Sequence, residues 1–371
     1  MSSAAKIPVL LMARELHLGG SERQMTETAL NLDPAAFAVH VGCFRPAGMR
    51  GDELREAGVN VVQFPVYSYR SPAAVSQAMR LARYIRGQGI RIVHTWDYPL
   101  NVYAIPIARA MTGAVAISSQ RSHRELIPPG YRRLVALADR MSHAVLANCE
   151  YVRRHLMEER VPERKIRVCY NGIDLDRFQR RTEADHPLTI GVVCALRPEK
   201  DLATLIRAFA AVHDAARGLK LVVVGSGTEL EGLQRLASET GVAERCHFEP
   251  ATAAVPEWLS RIDLFVLPSR TEALSNSVME AMACRCCVVA SEVGGNPELV
   301  RHGETGLLFP AGDVQALAQA LRTLIDDAAL RARLAAAGEQ FIRSGFGVAA
   351  AAARMSEIYA QLLDKAHPPV Q

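Results

Sequence analysis

Thirteen short runs of aliphatic and β-branched residues alternate along this chain with longer segments of helical period, and nothing else in the sequence constrains the fold as tightly. Parallel strands need helical crossovers, so such alternation predicts parallel sheets covered by helices on both faces. Seven strands are expected at 9–12, 39–44, 59–64, 90–95, 114–118, 144–147 and 166–168, and six more at 188–196, 219–224, 246–249, 263–267, 287–290 and 306–309. The pattern pauses at Tyr170-Asn-Gly-Ile-Asp174, and the polar stretch from Gln179 to Pro187 reads as a linker. At 371 residues the expectation is two domains, 1–178 and 179–345, followed by a last helix in 346–371. Both are of the α/β doubly wound class, with one cleft between them as the default ligand site.

No run of about 18 uncharged apolar residues exists, which excludes a membrane-spanning helix. The short apolar run near the N-terminus reads as a first strand rather than a signal peptide, so a cytoplasmic protein is expected. Eight cysteines lack zinc-ligand spacing; even the Cys284-Arg-Cys286-Cys287 cluster reads as packing rather than metal binding. Residues 1–181 hold 26 Lys/Arg against 16 Asp/Glu, whereas the remainder holds 17 against 23. A basic first half suits an anionic partner, either a phosphorylated acceptor or a membrane surface, and equally a solvated arginine-rich face.

Several strand ends carry residues with chemistry. Gly19-Gly20-Ser21 follows the first strand and opens a helix, where backbone N–H groups can approach an anion; Ser21 as a helix cap is the plainer reading. Arg197 and Lys200 follow the first strand of the second half, placed to grip a diphosphate or simply to face solvent. Gly225-Ser-Gly227 lacks the third glycine of a dinucleotide fingerprint, which weakens an oxidoreductase reading and leaves a wall for a nucleotide. The most specific signal is the stretch from Ser269 to Val300. Two carboxylates, Glu272 and Glu280, bracket a helix start at Ser275-Asn276-Ser277, and each can accept two hydroxyl hydrogen bonds from a ribose or a sugar. A solvated glutamate and an inter-helix salt bridge are their structural alternatives. His94 and Asp97 end another strand, and a core role and an acceptor-side role stand level.

Taken in order, Gly-Gly-Ser-Glu, Arg-x-x-Lys, Gly-x-Gly, Glu-x7-Glu with Glu-Ala-Met-Ala, and Val-Gly-Gly-x-x-Glu resemble the retaining glycosyltransferases of family 4 over nearly the whole chain. The resemblance implies the GT-B fold, an acceptor-binding domain followed by a nucleotide-sugar domain, two Rossmann-like units facing a central cleft. It implies that Arg197 and Lys200 hold the donor diphosphate, helped by Gly19 and Gly20, and that Glu280 binds the ribose. Glu272 and the backbone of Ala273, Leu274, Ser275 and Asn276 would bind the donor sugar, with Gly225 and Gly227 beside the nucleotide. Arg197, Lys200 and Glu272 would be the catalytic set, with no cofactor and no metal in the chemistry. The implied partners are a UDP- or GDP-sugar donor and a saccharide or lipid-linked acceptor, with no nucleic acid; peripheral contact with an anionic membrane, through the basic segment from Arg121 to Arg133, is an expectation that rests on charge alone. The last helix would cross back to the first domain. Two departures stand out. Ala283-Cys-Arg285-Cys-Cys287 replaces the family's Ala-x-Gly-x-Pro, and the usual histidine after the fifth strand is absent, leaving Arg121 or His123 to substitute.

Two other functions fit the same residues. A nucleotide-sugar epimerase or hydrolase would form product without acceptor, and a non-catalytic nucleotide-sugar-binding partner of an assembly complex would bind donor without transferring it.

Overall fold

The structure, a computed structural model, describes residues 5–17, 19–121, 126–179 and 187–366. The first half runs β1 (Ile7–Glu15), α1 (Gly20–Asn31), β2 (Phe37–Arg45), α2 (Met49–Glu56), β3 (Asn60–Gln63), α3 (Pro72–Gly87), β4 (Ile92–Thr95), α4 (Tyr98–Met111), β5 (Val115–Gln120), α5 (Pro129–Met141), β6 (Ala144–Ala147), α6 (Glu150–Glu158) and β7 (Ile166–Val168). Among the described residues these strands form one parallel sheet in the order β3-β2-β1-β4-β5-β6-β7. Period-two alternation sorts the side chains to its two faces. Val9, Leu11 and Ala13 enter one buried cluster, while Leu10 and Met12 enter the other.

The second half runs β8 (Thr189–Val193), α7 (Leu202–Ala210), β9 (Lys220–Val224), α8 (Leu230–Glu239), β10 (Cys246–Glu249), α9 (Val255–Leu259), β11 (Leu264–Leu267), α10 (Asn276–Ala283), β12 (Cys287–Ser291), α11 (Asn296–Leu299), β13 (Leu307–Phe309), α12 (Val314–Asp326), α13 (Ala328–Gly345) and α14 (Val348–Ala366). Its parallel sheet has the order β10-β9-β8-β11-β12-β13. Each expected strand is present; the central ones are β-branched or aliphatic runs buried on both faces, as in Leu264-Phe-Val-Leu267, while the edge strands β3 and β10 are partly exposed.

The chain divides into two compact units, residues 1–172 with 348–371, and residues 173–347. The change of unit therefore precedes the polar stretch at 179–187, of which residues 180–186 lie outside the described set. Ile173 and Phe178 explain the difference, since both are buried, and Ile173 donates its backbone N–H to Phe346 at 2.8 Å within the second unit. Helix α14 belongs to the first unit: Met355, Ile358, Tyr359, Leu362 and Leu363 complete the cluster that holds Leu11 and Trp96. Among the described residues no helix is long and apolar enough to cross a membrane. All eight cysteines are free, seven of them buried.

Candidate active site

In each sheet the strand order reverses beside the first strand, between β1 and β4 and between β8 and β11. Loops leaving the carboxyl ends of such neighbours diverge to opposite faces and leave a crevice. Lys200 comes from the loop after β8 and Glu272 from the loop after β11, so the second unit's reversal point unites two residues 72 positions apart in sequence. Lys200 Nζ donates to Glu272 Oε1 at 2.5 Å, and Ser269 Oγ donates to the same oxygen at 2.7 Å. Burial works against the Lys200 charge, but the charge and hydrogen bond of Glu272 outweigh it and raise the ammonium above its ordinary pKa. The loop carrying Lys200 is a 3₁₀ turn ending at Asp201, which sits in the left-handed region at φ 47°. Asp201 is itself tied down, accepting from Thr204 Oγ1 at 2.9 Å and pairing with Arg270 Nε at 3.1 Å. Arg197 differs from Lys200. Its side chain is two-thirds exposed, with only Glu199 near it at 3.9 Å, so it does not join the ion pair.

The glycines hold the loops together. A Cβ on Gly225 would stand 1.8 Å from the Cys194 carbonyl oxygen, and one on Gly227 would stand 2.1 Å from that of Leu196. Backbone bonds Cys194 N–H to Val224 O and Leu196 N–H to Ser226 O, both 3.0 Å, zip the two loops along this seam. The Gly-x-Gly is thus a contact between backbones, and it fixes the loop that carries Arg197 and Lys200. Gly294 does the same for Glu272. At φ 58° it lies so close that a Cβ would be 1.8 Å from the Glu272 carbonyl oxygen, and Gly295 N–H donates to Ala273 O at 2.7 Å. Ser291 Oγ completes the brace by donating to Ser269 O at 2.6 Å.

Helix α10 begins at Ser275, whose Oγ caps it by accepting from Val278 N–H at 3.3 Å. Ala273, Leu274 and Ser275 are buried, and Glu280, in the helix's second turn, is 5% exposed. At the other end Arg285 N–H bonds Met282 O and Cys286 N–H bonds Ala281 O, each at 2.9 Å, the paired bonds of a Schellman motif. Arg285 therefore occupies the left-handed position at φ 59°, where a glycine carries no Cβ penalty. The departure from Ala-x-Gly-x-Pro keeps the turn and strains one residue. Replacing Arg285 by Gly is expected to raise stability by about 1 kcal/mol, since its pair with Glu339 at 3.8 Å is half exposed and worth little. A denaturation midpoint unchanged or lowered in the variant would count against this.

In the first unit, α1 is capped by Gly19, so Ser21 lies inside the helix and is not its cap; Gly20 is the first helical residue. Asp97 caps α4, accepting from Leu100 N–H at 2.9 Å and from Arg14 N–H at 2.5 Å. Burial pushes its carboxyl up to about 7 against these two bonds. His94 lies in the core of the first unit. It is fully buried, with Nδ1 against Tyr359 Oη and Nε2 against Ser119 Oγ, each 2.7 Å, and burial holds it neutral well below the usual imidazole range. His123 lies outside the described residues. Arg121 follows β5 at its carboxyl end, its guanidinium 4.5 Å from the Trp96 ring centroid and bonded to Asn171 Oδ1. Sequence reasoning overlooked Ser269, Asp201, Trp96 and Asn171, and gave the Gly294-Gly295 pair no role. Among the described residues no cluster of three or more His, Cys, Asp or Glu could hold a metal ion.

Residues 18–177 match the family model described as Glycosyltransferase Family 4, and residues 174–341 match the one described as Glycosyl transferases group 1. The GDP-mannose-dependent alpha-(1-6)-phosphatidylinositol monomannoside mannosyltransferase of Mycobacterium tuberculosis is 28% identical, over 87% of this chain and 89% of that protein. The D-inositol 3-phosphate glycosyltransferase of Thermobispora bispora is 31% identical, over 76% of this chain and 68% of its own. Among solved structures, Anabaena Alr3699/HepE in complex with UDP and glucose superposes with a TM-score of 0.84 at 21% identity, covering 95% of this chain and 99% of that one.

Proposed function

The chain belongs to glycosyltransferase family 4 and has the GT-B fold, and we propose that it is a retaining glycosyltransferase that moves a sugar from a nucleoside diphosphate sugar to a saccharide or lipid-linked hydroxyl. The observation that carries this reading is the Lys200–Glu272 pair at the reversal point of the second sheet. As the glycosidic bond breaks, the leaving diphosphate gains negative charge, and a cation fixed beforehand lowers the barrier without reorganising. Lys200 is that cation, preset by Glu272. Arg197, exposed and unpinned, closes on the diphosphate from the solvent side. When donor enters, Lys200 turns to phosphate and the Glu272 carboxylate, still braced by Ser269, accepts sugar hydroxyls instead. Glu280 takes the ribose hydroxyls, and the α10 N-terminus with the backbone of Ala273 to Asn276 lines the sugar. Attack on the face the leaving group departs from lets the departing phosphate take the acceptor proton, which retains configuration and requires neither a separate base nor a metal.

The donor is a UDP-sugar or a GDP-sugar: the similar mannosyltransferase of Mycobacterium tuberculosis is named for GDP-mannose, and the Anabaena structure of the same fold holds UDP. A thermal-shift screen decides between them, because a donor at 100 times its Kd stabilises the folded state by about 2.7 kcal/mol. One of the two nucleotide classes is expected to raise Tm, with the anomeric configuration of the product then read by NMR. No shift from any donor, together with no transfer across an acceptor panel, would sink the proposal.

We also propose peripheral contact with an anionic membrane through α5, working at the inner face of the membrane. This helix exposes Leu134 and Leu137, 45% and 52% accessible, beside the exposed Arg132, Arg133 and Arg140. Co-sedimentation with phosphatidylglycerol vesicles at low salt is expected, and to be lost on replacing both leucines by Ser; a chain that stays in the supernatant overturns it.

A further inference from the structure

Arg121, at a strand end of the first unit, is a cation whose partners among the described residues leave its charge uncompensated. Its guanidinium lies over the Trp96 indole at 4.5 Å and donates to the neutral amide oxygen of Asn171, and no carboxylate among the described residues pairs with it. Burial lowers its pKa to about 10. A guanidinium has five N–H donors, and one is used here. The seat around it is built and unsatisfied. Trp96 is 1% exposed, and its indole Nε1–H, a donor, has no hydrogen-bond partner among the described residues. Gln24 of α1 fixes the adjoining segment by exchanging two hydrogen bonds with Gly172, 2.8 and 2.9 Å, which holds Asn171 against Arg121.

Buried polar groups left open in this way are rarely idle, and an unpaired arginine with free donors matches a tetrahedral oxyanion. We propose that Arg121, with Trp96 beneath it and Asn171 holding it in place, forms an anion seat in the first unit that recognises a phosphate on the acceptor. This rests on the glycosyltransferase reading above, in which Arg197 and Lys200 of the second unit already account for the donor diphosphate. Arg121 would then set which acceptors are taken: those that bear a phosphate.

Trp96 makes the seat observable, since the chain has two tryptophans and Trp258→Phe leaves only the one beneath Arg121. In that background, inorganic phosphate is expected to change Trp96 emission saturably, with binding weakened at least tenfold in Arg121→Gln and partly kept in Arg121→Lys. Lys200→Ala should leave this signal in place, which separates the seat from the donor site. Once a donor and acceptor are known, Arg121→Gln should raise the KM for a phosphorylated acceptor at least tenfold while the KM for donor stays near wild type. Glucose 6-phosphate and short-chain phosphatidylglycerol as separate titrants tell a soluble sugar phosphate from a lipid headgroup. An unchanged phosphate titration in a folded Arg121→Gln variant, or a rise confined to the donor KM, would overturn the assignment. Absence of any transfer alongside intact phosphate binding would instead remove the enzymatic reading and leave the seat standing.

Discussion

Lys200→Ala is expected to lower kcat/KM by about 10²–10³, the loss typical of removing one preorganised group from developing negative charge. The structure adds a cost in stability. The Lys200 and Glu272 side chains are only 19% and 10% exposed, so truncation strands a nearly buried carboxylate. Residual solvent keeps that penalty at about 1–3 kcal/mol, below the 3–5 of a fully buried pair. Replacing both residues, as Lys200→Met with Glu272→Gln, should recover most of the stability and none of the activity, a separation that a double-mutant cycle measures directly. Arg197→Ala supplies the contrast. Its side chain is 66% exposed, so stability should stay within about 0.5 kcal/mol while turnover falls. Near-normal activity in Lys200→Ala, or equal stability losses in the two single variants, would refute the division of labour.

The second large effect is expected at a residue that touches no substrate. Gly294→Ala would place a methyl 1.8 Å from the Glu272 carbonyl oxygen at a backbone φ of 58°, so both sterics and conformation oppose it. The loops must part by an ångström or more, which displaces Glu272 and releases the Gly295–Ala273 bond. A stability loss of about 2–4 kcal/mol and a drop in turnover of about 10² follow, since misplacing a reacting group by an ångström costs that much. Gly303→Ala is the control: its φ of 78° is also left-handed, but nothing lies within 4 Å of the added carbon. That variant should cost about 1 kcal/mol and leave kinetics alone. A Gly294→Ala enzyme as active and stable as the Gly303→Ala one would show that the brace has no function.

Strand identities were legible because runs such as Cys287-Val-Val-Ala-Ser291 are buried on both faces and advertise it in composition alone. Lys200 and Glu272 were each recognisable as strand-end residues, but their bond was not, because it joins two loops that become neighbours only through the sheet order β8–β11. Gly225 and Gly227 were visible as a turn next to a nucleotide, yet sequence cannot distinguish a glycine that clears a phosphate from one that clears a carbonyl; the structure shows the carbonyl. His94 was ambiguous for a similar reason. Its partners, Ser119 and Tyr359, come from two other elements, one of them 265 residues away. The unit boundary was misjudged because polarity marks exposed chain, whereas Ile173 and Phe178 show where burial changes sides.

The dependence of the first unit on α14 also has a bearing on how the protein is made. Tyr359, Ile358 and Met355 cover Trp96 and Leu11, and they follow the whole of the second unit in the chain. Synthesis therefore finishes the second unit, whose last residue is Gly347, before the first unit can close its core. The usual N-to-C order of domain completion is inverted. Until residue 363 or so has emerged, one face of the first sheet lacks its final layer, making the nascent N-terminal half the part of this protein most exposed to misassociation during synthesis.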